Sequence, residues 1–116
     1  MEKEEIYKEA WRLWGADTQI DILIEEMAEL TMAILKARRH GATWSRAVLE
    51  EIADVMICLE QVTTRLKALP SDIDRETNRP TGYLYDIVEE VKARKIARLT
   101  ETLQKSCCAF KVGAKG

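Results

Sequence analysis

Thr18–His40 reads TQIDILIEEMAELTMAILKARRH and Glu50–Val62 reads EEIADVMICLEQV, and these two stretches decide the fold. In the first, Ile22, Leu23, Ile24, Met27, Ala28, Leu30, Met32, Ala33, Ile34 and Leu35 spread well beyond one stripe of a helix. A helix that is apolar nearly all round is buried nearly all round. A chain of 116 residues has only a modest core in which to bury it. A second copy must help, so a homo-oligomer, dimer or tetramer, built around the second and third helices is expected.

Working outward, four helices and no strand are predicted, giving an all-α fold of four-helix-bundle type. The first runs from about Glu2 to Trp14 and stops at Gly15, a natural residue just past a helix end. The second opens at Thr18, with Asp21 three residues on in a capping-box arrangement. It ends near His40, where Arg38, Arg39 and His40 suit the negative end of the helix dipole. Thr43 or Ser45 can cap the third helix, which runs to about Ala68 and is closed by Pro70. Leu69–Gly82 holds both prolines among Asp, Ser, Thr and Asn and is expected to be a loop. The fourth helix spans about Tyr83–Gln104. Residues 1–105 form one helical domain and 106–116 a flexible tail.

A net charge of −2 and 33% charged residues leave no basic footprint for nucleic acid or an acidic membrane surface. No apolar run approaches the roughly 18 residues that span a bilayer. The acidic N-terminus lacks the basic-then-apolar order of a signal peptide. Cys58, Cys107 and Cys108 are odd in number and poorly placed for a disulfide framework, which points to a reducing, cytoplasmic setting.

Chemistry enters where the apolar helices carry acid. Glu25, Glu26 and Glu29 sit inside the second helix, and Asp54 is the only charge between Ile52 and Leu59. Residues three apart share a helix face, so Glu26 with Glu29 and Glu51 with Asp54 each form a two-carboxylate prong. Glu29 lies 12 residues before Gly41, about 18 Å along the helix, and Glu51 lies 10 residues after it, about 15 Å. In an antiparallel hairpin turning near Gly41 the prongs reach nearly the same depth. Clustered carboxylates in an apolar setting require protons or a hard cation. With only oxygen donors, Mg²⁺ or Mn²⁺ is favoured over zinc. Mg²⁺ commonly shares its coordination with substrate phosphates, so a phosphate-bearing substrate is expected.

The pattern Glu25-Glu26-x-x-Glu29 followed by Glu51-x-x-Asp54, set in WGADTQIDILIEEMAEL and EEIADVMICLEQV, resembles the signature of the MazG-like all-α nucleotide pyrophosphohydrolases. The likeness covers about Trp14–Gln61 and extends less securely to KIARLTETL, and it is nearest to the short single-domain forms of phages and prophages. It implies an oligomeric helical bundle and Mg²⁺-dependent hydrolysis of a nucleoside triphosphate, an NTP or dNTP, to the monophosphate and pyrophosphate. It implies Glu26, Glu29, Glu51 and Asp54 as metal ligands, with Glu25 matching the leading Glu of the signature. A carboxylate not saturated by metal, Glu25 or Glu29, is the expected proton acceptor.

Lys95 continues the stripe of Leu84, Val88 and Val91, where a lysine either snorkels or meets a phosphate. The likeness in KIARL favours phosphate, with Arg98 as companion. Trp14 and Gln19 are candidates for the base, against packing for the indole and solvation for the amide. Cys58 is expected to be a small core residue. A ferritin-like di-metal oxidase is set aside because Glu-x-x-His is absent. The alternative outside enzymology is a helical interaction module that oligomerises through its apolar helices, which leaves Glu51 and Asp54 unexplained.

Overall fold

A computed structural model describes residues 1–106. Among them are three helices, α1 (Lys3–Arg39), α2 (Arg46–Leu66) and α3 (Leu84–Ser106), and two short strands, β1 (Pro70–Ile73) and β2 (Pro80–Tyr83). The chain is mostly helical, and it divides into two compact units, Met1–Ala68 and the segment from Leu69 onward. The tail expected from 106, with Cys107 and Cys108, lies outside the described residues apart from Ser106, which ends α3.

In the first unit, α1 contains both of the first two predicted helices, divided at Gly15, where φ is 82° and ψ 167°. That backbone region is open to glycine almost alone, which is why the break falls there. The helix resumes at once, so Thr18 lies within helical backbone and not at a helix start as expected. The physical reason is that Gly15 alone takes the non-helical conformation, so the second helical segment begins before Thr18. At the far end of α1, Gly41 has φ 70°, its N–H bonds to the Arg38 carbonyl at 3.2 Å, and Ala42 N–H bonds to Ala37 at 2.8 Å. This is a Schellman closure, which satisfies the last carbonyls and turns the chain back. Ser45 then caps α2, its hydroxyl accepting from Val48 N–H at 3.3 Å.

Hydrogen bonds tie the first segment of α1 to α2. Tyr7 Oη donates to Glu60 Oε2 at 2.6 Å, and Trp11 Nε1 donates to the Gln61 carbonyl at 2.8 Å. Lys3 adds an ion pair to Glu60 at 3.3 Å. The buried apolar side chains are few: Tyr7, Ala10, Ala37, Val48 and Cys58, with Val48 fully enclosed. The near-complete burial expected of the second helix is not observed in the chain. Ile24, Met27, Met32 and Leu35 are all exposed, Met32 by 62%.

The second unit corrects the expected loop. Leu69–Gly82 contains an antiparallel hairpin, pairing Pro70 with Tyr83, Asp72 with Gly82 and Ile73 with Pro80, with register shifts between. Turn chemistry builds it. Asp74 Oδ1 accepts from Glu76 N–H at 2.8 Å, Asp74 N–H bonds to Arg79 O at 2.9 Å, and Asn78 adopts φ 56°. Asn and Asp tolerate such geometry better than other side chains. Tyr83 N–H then donates to Asp86 Oδ2 at 2.8 Å, the half of a capping box that starts α3.

Candidate metal centre

The two acidic prongs meet. One carboxylate oxygen each from Glu26, Glu51 and Asp54 lies within 4.8 Å of the others. α1 and α2 position them as expected from the i, i+3 spacing on antiparallel helices joined through Gly41. Glu26 and Glu51 are half-buried and Asp54 is exposed. The Oε2 atoms of Glu26 and Glu51 are each shielded from solvent and have no hydrogen-bond partner.

Such oxygens are poorly placed as free anions. Loss of solvent raises the Glu26 carboxyl above its ordinary range, and the charges of Glu29, Asp54 and Glu51 push it the same way. Glu51 is raised by the same desolvation, then by Glu29 and Asp54. Glu29 is exposed, but its charge acts on both Glu26 and Glu51. Glu25 is exposed and is not among the groups that shift Glu26 or Glu51. A hard divalent cation suits this donor set: three carboxylate oxygens, from Glu26, Glu51 and Asp54, with no nitrogen or sulfur ligand in the cluster and Glu29 outside it.

Beside the cluster lies a cleft of about 200 Å³ lined by Trp14, Gln19, Ile22, Glu26, Asp54, Ile57, Cys58 and Gln61. The structure therefore brings both base candidates, Trp14 and Gln19, to the metal candidates. Gln19 is only 4% exposed as a residue; its amide has no hydrogen-bond partner among the described residues and is not one of the solvent-shielded groups, so it keeps some contact with solvent. Trp14 is 56% exposed, so its indole is an open wall and not core.

Cys58 and Gln61 were not singled out as site residues from the sequence. The signal was present, because Glu51, Asp54, Cys58 and Gln61 follow a 3-4-3 spacing on one face of α2. Gln19, Ile22, Glu26 and Glu29 repeat that spacing on α1. Cys58 is buried, as expected, and burial together with the charges of Glu26 and Asp54 pushes its thiol up. It is a neutral wall of the cleft and not a nucleophile.

Lys95 and Arg98 belong to α3 in the other unit, both exposed, with Lys95 lining an apolar groove that includes Val91 and Ile96. His40 caps the end of α1, as expected. No helix among the described residues is long and apolar enough to cross a membrane.

Compared with known proteins, the chain matches no family model, and no curated protein or solved structure is significantly similar to it.

Proposed function

We propose that this protein hydrolyses a nucleoside triphosphate, a dNTP, to the monophosphate and pyrophosphate, using Mg²⁺ held by Glu26, Glu51 and Asp54, with Glu29 completing the set. One observation carries it: two solvent-shielded carboxylate oxygens, of Glu26 and Glu51, have only other carboxyls around them and lie beside Asp54. An apolar hairpin has no structural use for that arrangement, whereas a divalent cation relieves it. The MazG-like resemblance of the same residues supplies the reaction.

When bound, the cation would polarise phosphoryl oxygens and lower the pKa of a coordinated water. The carboxylates of Glu26, Glu51 and Asp54 would hold it. Glu29, at the exposed edge of the cluster, accepts the proton as water oxygen bonds to the α-phosphorus and the bond to pyrophosphate breaks. Glu25 is the alternative acceptor. Gln19 offers its unpaired amide to the base, and Trp14 offers its ring face. Lys95 and Arg98 are assigned to phosphate on the resemblance alone.

Glu26→Gln and Asp54→Asn are expected to lose Mg²⁺-dependent turnover while keeping the helical circular-dichroism signal. Full activity in both would remove the assignment.

Homo-oligomerisation is part of the proposal. Met32 and Leu35 on α1, with Leu49, Met56 and Leu59 on α2, are exposed in the protomer. Exposed large apolar side chains on both helices suit an association face. Light scattering at micromolar concentration should give a dimer or tetramer, and a strict monomer would contradict it. The same surface favours the non-catalytic interaction module as the second hypothesis. A folded oligomer that neither binds divalent cations nor hydrolyses any nucleotide would establish the module in its place.

A further inference from the structure

A second constellation in the first unit shares no residue with the acidic cleft. A cavity of about 570 Å³ is lined by Lys8, Trp11, Arg12, Gly15, Thr64 and Arg65, among others. Three of its lining residues are cations, and no carboxylate lines it, although the chain as a whole carries a net charge of −2. Arg12 is ion-paired with Glu9. Lys8 and Arg65 have no carboxylate partner among the described residues. Arg65 by itself is accounted for by the last turn of α2, where a cation is favoured. That does not account for Lys8, in the first segment of α1, lining the same space.

The remaining lining is one aromatic ring, Trp11, among small residues that include Gly15 and Thr64. Trp11 donates its indole N–H to the Gln61 carbonyl, which anchors the ring to α2. The break at Gly15 interrupts the helix beside this wall. The volume falls within the range of about 300–1,000 Å³ typical of small-molecule sites. Two unpaired cations attract an anion, and guanidinium and ammonium groups hold phosphate through charge-assisted hydrogen bonds.

We infer that this cavity binds a small phosphorylated aromatic ligand of the nucleoside monophosphate class, its ring against Trp11 and its phosphate on Lys8 and Arg65. The site is separate from the acidic cleft and needs no metal.

The test is calorimetric titration of the full chain with adenosine monophosphate at low salt in EDTA, with inorganic phosphate as a second probe. EDTA leaves the carboxylates of the acidic cleft without a cation, so they repel both probes. Binding measured there is thus independent of whether the protein hydrolyses nucleotides. Adenosine monophosphate should bind, more tightly than phosphate. Combining Lys8→Ala with Arg65→Ala, both on exposed side chains, should weaken it about tenfold or more, equivalent to about 1.4 kcal/mol. Lys8→Arg should retain binding, and Asp54→Asn should not weaken it. No binding at millimolar ligand overturns the site, as does equal affinity in the double variant. Equal affinity for the two probes overturns the aromatic half of the assignment.

Discussion

Loading the acidic cluster with Mn²⁺ should expel protons, and the number is bounded by the structure. Glu26 and Glu51 are the two carboxyls held above their ordinary value of 4.5, by lost solvation and by neighbouring negative charge. Between that value and their raised values they hold protons in the folded protein that a free carboxyl would have lost. Metal ligands must be deprotonated, so the cation displaces those protons. The ceiling is two per cluster, one from each residue. Glu26→Gln lowers the ceiling to one.

The sign of the stability effect follows from the same shifts. Because the folded state holds more protons than the unfolded chain, this cluster contributes less stability as pH rises from about 4.5 through the raised values. Above them the penalty is complete, and a bound cation removes it. Calorimetry at a pH just above 4.5 and at one well above it, in two buffers of unequal ionisation enthalpy, counts the protons directly. More should be released at the lower pH. Thermal midpoints with and without Mn²⁺ should differ most at the higher pH. Metal binding with no proton release at either pH, or a Mn²⁺ effect on the midpoint that shrinks as pH rises, would refute the electrostatic reasoning.

Other outcomes can be checked on single variants. Gly15→Ala should destabilise the fold by about 1–3 kcal/mol through backbone strain alone, read by urea unfolding, because a Cβ there meets no atom within 4 Å. An unchanged midpoint would mean that the break does not need positive φ. Ser45→Ala should cost about 1 kcal/mol, since it deletes the cap on Val48 N–H. Gln19→Leu should raise KM for the preferred nucleotide more than it lowers kcat, by removing the unpaired amide from the cleft while keeping its bulk. A pure kcat effect would place Gln19 outside base recognition.

The acidic centre was legible because charge is costly in an apolar helix. Asp54 between Ile52 and Leu59 had no structural explanation, and the distances to Gly41 placed Glu51 at the level of Glu29. Gly15 and Gly41 were equally legible, each by its freedom at positive φ. The restart of α1 was not, because Thr18 and Asp21 imitate a capping pair that the backbone does not use. The hairpin at Pro70–Tyr83 was missed for a different reason. Its strands hold Pro, Ser, Asp and Gly, residues depleted in strands, and β1 buries none of its residues. Side-chain and backbone bonds around Asp74 and Asn78 make it, and those are not periodic signals. Gln19 shows the limit of local patterning. Near the start of a predicted helix it suggested solvation, whereas packing of the α1–α2 hairpin buries it beside Glu26.

The most direct measurement is turnover of the common NTPs and dNTPs with and without Mg²⁺, resolving monophosphate from pyrophosphate. Monophosphate and pyrophosphate in equal amounts, formed only with the cation and lost in Glu26→Gln, are predicted. No hydrolysis of any nucleotide by folded, Mg²⁺-loaded protein would contradict the assignment of this centre to catalysis.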